Sequence, residues 1–268
     1  MPEGDTVWLA ARRMHDALAG NVVVHTDFRV PQLATSDLAG QCVTGVASRG
    51  KHLLIRTDAG LTLHTHYRMD GSWHLYRTGS RWSGGPGWQV RAVLATEQWQ
   101  AVGYRLPVIE LIPTVAEQRV VGHLGPDLLG EDWNEVEALR RLRDHPEREI
   151  GPALLDQRNL AGIGNLYKAE TLFLSGITPW MRVGAVGDLG VVLRRAHRLL
   201  HANKMHWQQT TTGSTRRGED HWVFERTGRP CRRCGTPIAT ATQAEPDHPE
   251  RARISYWCPR CQEGPAPS

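Results

Sequence analysis

Residues 150–179 read IGPALLDQRNLAGIGNLYKAETLFLSGITP, and the placement of their glycines and prolines decides how the second half of the chain is built. The pattern predicts two helices joined by a glycine-rich turn. Pro152 suits the first turn of the first helix, where a missing N–H costs nothing. Gly162 and Gly164 allow close backbone approach, and Asn165 is expected to cap the second helix. That helix turns Leu166, Ala169 and Phe173 inward and ends at Gly176, with Pro179 beyond. A helix N-terminus behind a glycine turn favours anions, because its unpaired N–H groups and its dipole both attract negative charge. Phosphate is the obvious anion.

Helical periodicity surrounds this motif from about Glu135 to Leu200, and a helical domain is expected over 135–221. Upstream, GHLGPDLLGEDWN (122–134) breaks the pattern with Gly and Pro, and the linker is placed at 114–134. Further back the sequence is strand-like: NVVVHTDFRV, the run from Cys42 to Tyr76 and the run from Trp88 to Ile112 are rich in β-branched and aromatic residues separated by glycine turns. One helix precedes them, carrying Val7, Ala11, Met14 and Leu18 on one face, with Asp5 or Thr6 as its cap and Gly20 as its stop. A leading helix and many short strands predict a β-sandwich-like domain over 1–113.

Downstream, Cys231, Cys234, Cys258 and Cys261 form two CxxC knuckles. Two such turns fold four thiolates onto one tetrahedral zinc, and the intervening residues can form the hairpin of a zinc ribbon over 222–263. Two disulfides are the alternative, which a cytoplasmic placement disfavours. Four thiolates leave no open coordination position, so the ion is expected to be structural. Cys42 is expected to be a small buried hydrophobe. Arg253 lies on the hairpin five residues before Cys258, and 264–268 form a tail. The fold class is thus α+β and multidomain: β-sandwich with a leading helix, helical domain, zinc ribbon.

Composition narrows the partners. No apolar run approaches the ~18 residues of a membrane span, and no signal peptide is apparent, so a cytoplasmic, nucleoid-associated placement is expected. The net charge is +4, and lysine occurs only at Lys51, Lys168 and Lys204, so arginine supplies nearly all the positive charge. Its planar fork matches phosphate. Amine chemistry is confined to three lysines and the N-terminus. The chain opens MPEGD; removal of Met1 would leave Pro2 as a free secondary amine next to the Glu3 carboxylate.

The ordered set of PEG at residue 2, GKHLL at 50, QRNLAGIGNLYKAE at 157 and RTGRPCRRCG…YWCPRCQ from 226 resembles the formamidopyrimidine-DNA glycosylase / endonuclease VIII family of bacterial base-excision repair enzymes. The resemblance spans residues 2–261 and implies a bifunctional DNA glycosylase and abasic-site lyase with a sandwich, a helix–two-turns–helix domain and a zinc finger. It implies that Pro2 attacks C1′ of a damaged nucleoside, that Glu3 is its acid/base partner, and that Lys51 holds a phosphate beside the lesion. Strand cleavage by β,δ-elimination follows. Asn165 and Arg253 would grip the backbone, and Met69 in THYRMDGSW would fill the space left by the flipped base. Zinc is the one cofactor, damaged DNA the partner, and a monomer the expected state.

Three departures stand out. Thr6, preceded by Asp5, occupies a position where many relatives carry glutamate. The Arg-Phe pair that some members insert opposite the lesion is missing, Arg105 being its nearest counterpart. The segment HWQQTTTGSTRRGEDHW (206–222) is short for the loop that covers oxidised purines. Together these favour the endonuclease VIII branch and oxidised pyrimidines. The competing reading, motivated by Thr6 and the missing pair, is a non-catalytic or weakly catalytic protein that binds damaged or abasic DNA on the same scaffold.

Overall fold

Val7, Ala11, Met14 and Leu18 recur at helical spacing, and in a computed structural model they line the buried face of helix α1 (Gly4–Leu18), none more than 3 % exposed. The structure describes residues 2–245 and 248–267. Met1, on whose removal the free amine depends, and Ser268 of the expected tail lie outside them. The cap differs from expectation. Glu3 is the N-cap, in extended backbone with φ −119° and ψ −173°, and both Asp5 and Thr6 lie within the first turn. Asp5 Oδ1 accepts the Thr6 N–H at 2.8 Å. Carboxylates at the cap and first turn suit the positive end of the helix dipole. The helix closes at Ala19, and Gly20 turns the chain with φ +77°.

Eight strands follow: β1 (His25–Phe28), β2 (Val43–Arg49), β3 (His52–Thr57), β4 (Leu61–His66), β5 (Ser72–Arg77), β6 (Val90–Ala95), β7 (Trp99–Tyr104) and β8 (Val108–Pro113). They form two four-stranded antiparallel sheets, ordered β1-β6-β7-β5 and β2-β3-β4-β8. Alternation along each strand supplies the core: Leu53, Ile55, Leu63, Leu94, Ala101 and Ile109 join the apolar face of α1. Arg56 and Thr62, on the outer face of the second sheet, bind Glu117 from the segment that follows β8, with the Arg56 fork donating at 2.7 and 2.8 Å and the Thr62 hydroxyl at 2.7 Å. That segment contains the short helix α2 (Gln118–Val121). Cys42 is half-buried, not fully buried, because it lies beside β2 in an isolated bridge to Val22. This first compact unit runs to His123.

The second unit, from Leu124 onward, contains α3 (Glu135–Arg143), α4 (Ile150–Leu155), α5 (Asn165–Ser175), α6 (Leu189–Asn203) and the hairpin β9 (Ala239–Glu245) with β10 (His248–Trp257). Asn134 and Asp188 cap α3 and α6 through side-chain acceptors at 3.0 and 3.1 Å. At α5 the cap is Gly164, with no side-chain bond, and Asn165 is the first helical residue. The expected Asn165 cap is therefore replaced by a different use of that amide, described below. Gly162 takes φ +101°, a conformation costly for any side chain, and Gly176 closes α5 at φ +73°.

The end of α5 and the last cysteine knuckle are sewn together by backbone. Glu263 N–H donates to the Gly176 carbonyl at 2.8 Å, Thr178 N–H to the Glu263 carbonyl at 3.0 Å, and Gln262 Nε2 to the Ile177 carbonyl at 2.7 Å. A buried polar chain links the helices to the hairpin: Lys168 Nζ to Ser255 Oγ at 2.7 Å, Ser255 Oγ to Gln243 Oε1 at 2.8 Å, and Gln243 Nε2 to Glu149 Oε2 at 2.7 Å.

Candidate active site

Pro2 and Glu3 enter α1 at its N-terminus, and α1 packs on β2 and β3. Pro2 is half-buried and Glu3 fully buried. Glu3 follows Pro2 directly in the sequence and carries its carboxylate into the buried head of α1. Lys51 sits in the β2–β3 turn behind Gly50, whose φ of +56° makes that tight reversal possible. Met69 lies in the β4–β5 loop and is 54 % exposed.

Arg105 braces that loop from the β7–β8 connection. Its Nε donates to the Asp70 carbonyl at 3.1 Å and its Nη1 to Gln89 Oε1 at 2.7 Å. Arg105 and Arg68 both hold left-handed backbone, φ +47° and +48°. The residue before Met69 and the residue that supports its loop are thus both strained, a feature found where surrounding structure fixes a functional loop.

Within the second unit Asn165 meets the strand that carries Arg253. Asn165 Nδ2 donates to the Ile254 carbonyl at 2.9 Å, so the start of α5 is pinned to the residue beside Arg253 on β10. Asn165 Oδ1 is buried with no hydrogen-bond partner among the described residues. Arg253 is exposed, and its Nη1 donates to the Ala252 carbonyl at 2.8 Å.

The four cysteines converge. All four sulfurs lie within 4.8 Å of one another, with Cys234–Cys258 at 3.4 Å and Cys231–Cys261 at 3.9 Å. Four thiolates around one ion with Zn–S bonds of about 2.3 Å stand about 3.8 Å apart, so the donor set and its geometry fit a four-coordinate metal site.

Two groups were not singled out by sequence reasoning. Glu170, fully buried on α5, accepts the N–H groups of Trp222, Val223 and Phe224 at 2.8 Å each, and the Thr211 hydroxyl as well. One carboxylate thus ties Thr211, within the 206–222 segment, to the end of that segment at Trp222; the only signal was an apolar helix carrying an acidic residue. Next to Lys51, His52 Nδ1 lies 2.7 Å from His64 Nε2, and His64 Nδ1 lies 2.8 Å from Glu110 Oε1. Burial, followed by the charges around it, pushes His52 down to about 3; burial and then Lys51 push His66 down to about 4. No local motif marks this cluster, because its members come from three strands.

Comparison with known proteins agrees with this layout. Residues 1–105 match the formamidopyrimidine-DNA glycosylase N-terminal domain, and residues 124–203 match the formamidopyrimidine-DNA glycosylase H2TH domain. A Streptomyces coelicolor protein named "Probable endonuclease 8 2" is 56% identical over 100% of this chain and 96% of its own. A Mycolicibacterium smegmatis protein named "DNA-(apurinic or apyrimidinic site) lyase Nei2" is 42% identical over 98% of this chain and 99% of its own. Among solved structures, a Lactococcus lactis formamidopyrimidine-DNA glycosylase non-covalently bound to DNA containing an AP site superposes with a TM-score of 0.80, covering 98% of this chain and 100% of that one at 22% identity. At that identity the superposition speaks for the fold.

Proposed function

This chain belongs to the formamidopyrimidine-DNA glycosylase / endonuclease VIII family, and we propose that Pro2 and Glu3 are its reactive pair. It is a DNA glycosylase and abasic-site lyase of base-excision repair. What supports the assignment of the pair is their place in the chain: a secondary amine, once Met1 is removed, followed directly by a residue whose carboxylate is fully buried at the head of α1.

The amine, with an ordinary α-amino pKa of about 7.7–8.0, is partly unprotonated at neutral pH. It attacks C1′, the damaged base departs taking a proton, and a cationic iminium forms between Pro2 and the opened sugar. Glu3 supplies and recovers protons at the sugar and the amine. The iminium acidifies C2′; loss of that proton expels the 3′ phosphate, and a second elimination expels the 5′ phosphate. Lys51, in its tight turn, holds a phosphate beside the lesion. Asn165 and Arg253 hold the backbone from the second unit, and Met69 enters the stack where the nucleotide has left it. The short 206–222 segment, tied by Glu170 at Thr211 and Trp222, suits the smaller oxidised pyrimidines.

One zinc ion, held by Cys231, Cys234, Cys258 and Cys261, fits the sulfur cluster and fixes the hairpin that carries Arg253. Among the described residues no helix is long and apolar enough to cross a membrane. The deciding experiment is borohydride trapping on abasic-site DNA. The processed protein is expected to form a covalent adduct, and a form that keeps an N-terminal extension before Pro2 is expected to form none. No adduct with the processed protein, or an equal yield from the extended form, rules out Pro2 as the nucleophile.

A further inference from the structure

On β3, β4 and β8 the core takes Leu53, Ile55, Leu63 and Ile109. The alternate positions therefore carry His52, His64, His66 and Glu110 to the opposite face. The register sets His52 opposite His66 and His64 opposite Glu110. His52 and His64 stack with ring centroids 5.0 Å apart and planes 15° from parallel. His64 is 2 % exposed, whereas the Glu110 side chain is 40 % exposed. A surface carboxylate is thus connected through a buried imidazole to the residue next to Lys51.

One placement of the protons, with a single hydrogen on each imidazole, satisfies every link of this chain. An ionised carboxylate only accepts, so the His64 nitrogen facing Glu110, Nδ1, carries hydrogen. With its single hydrogen on Nδ1, His64 presents a bare Nε2 to His52. His52 Nδ1 must donate to it, which leaves His52 Nε2 with its lone pair. The identity of the terminal atom is dictated by Glu110, two hydrogen bonds away.

We propose that Glu110, acting through His64, fixes His52 as a neutral hydrogen-bond acceptor beside Lys51, which makes Glu110 and His64 positioning residues for the phosphate-holding lysine. This rests on the reading of Lys51 as a phosphate ligand. The groups facing His52 are Lys51 from the β2–β3 turn, His64 and His66 from β4, and His123 from the end of the first unit; those facing His66 are His52, Lys51, His64 and Arg68. The permanent charges of the cluster are Lys51, Arg68 and Glu110. Without Glu110, His64 is free to carry its proton on Nε2. His52 would then accept on Nδ1 and carry hydrogen on Nε2, reversing the group that stands beside Lys51.

Two measurements on the full-length, zinc-loaded protein test this. Nitrogen-15 NMR of the histidine side chains is expected to show the Nδ1–H tautomer at both His64 and His52 near neutral pH; the Nε2–H tautomer at His52 overturns the proposal. Binding to duplex DNA carrying a tetrahydrofuran abasic analogue is then measured in a double-mutant cycle. Glu110→Ala is expected to weaken binding about three- to tenfold when Lys51 is present and not at all in Lys51→Ala. Glu110→Gln, whose amide oxygen still accepts from His64, is expected to restore affinity to within about twofold of the parent. Equal losses from Glu110→Ala in both backgrounds refute the relay alone. Unchanged binding in Lys51→Ala refutes the phosphate role of Lys51, and the proposal falls with it whatever the tautomers.

Discussion

Asn165 and Ile254 are joined by a single 2.9 Å hydrogen bond from the side-chain amide of one to the backbone carbonyl of the other. The first residue of α5 thereby fixes the strand position next to Arg253. Asn165→Asp keeps the shape and removes the donor, setting a carboxylate against a carbonyl. The expected cost is about 1–3 kcal/mol of stability, with weakened binding to abasic-site DNA. Chemical denaturation and a binding titration check this; parent-like values in both would deny the contact any role.

Glu170 is the acceptor for three backbone N–H groups at 2.8 Å. Glu170→Ala leaves these donors buried without partners, each at about 1–3 kcal/mol. A large loss of stability and rapid proteolysis within 206–222 are expected. Protease resistance equal to the parent would show that another acceptor takes over.

Met69→Ala removes most of an exposed apolar side chain without touching the core. Stability should be unchanged, while affinity for duplex abasic-site DNA should fall by about 1 kcal/mol, roughly fivefold. Single-stranded substrate, which has no stack to repair, should be affected less. Equal losses on both substrates would place Met69 outside the helix-filling role.

His52 and His66 are held at about 3 and about 4, below the unfolded value near 6.5. The unfolded chain therefore takes up protons first as pH falls. The contribution is fully present above about pH 6.5 and is lost progressively below it, down to the folded values, at up to about 1.4 kcal/mol per pH unit for each histidine. Urea midpoints at pH 7.5, 6 and 5 should fall in that order. His52→Gln should flatten the dependence, and a profile as steep as the parent's would contradict the assignment.

Chelation of the metal, or Cys258→Ser, should release the hairpin and abolish DNA binding. Metal analysis should return one zinc per chain, and binding that survives metal removal would make the hairpin dispensable.

Much of this was legible because it was local. Helical spacing gave the buried face of α1, Gly176 ended α5 by the left-handed turn that glycine permits, and two CxxC pairs marked the sulfur cluster. The caps were read less well. Asp5, Thr6 and Asn165 all have cap-forming side chains, yet the caps are Glu3 and Gly164, and the Asn165 amide is held instead by a strand 89 residues away. Long-range pairing also hid the His52–His64–Glu110 chain, whose links span 12 and 46 residues. Spacing rules cannot see a register that only the sheet defines.

The seam between Gly176–Thr178 and Gln262–Glu263 has a consequence for how this protein can be altered. Its bonds run to backbone carbonyls, and its partners on the ribbon, Gln262 and Glu263, directly follow the last cysteine. The terminal hairpin is consequently not an interchangeable cassette. A ribbon transplanted from another protein would have to bring partners for Gly176, Ile177 and Thr178, and for Glu149 and Lys168 through Gln243 and Ser255. Chimeras should therefore succeed only when their junction falls upstream of α4, so that helices and ribbon are inherited as one piece.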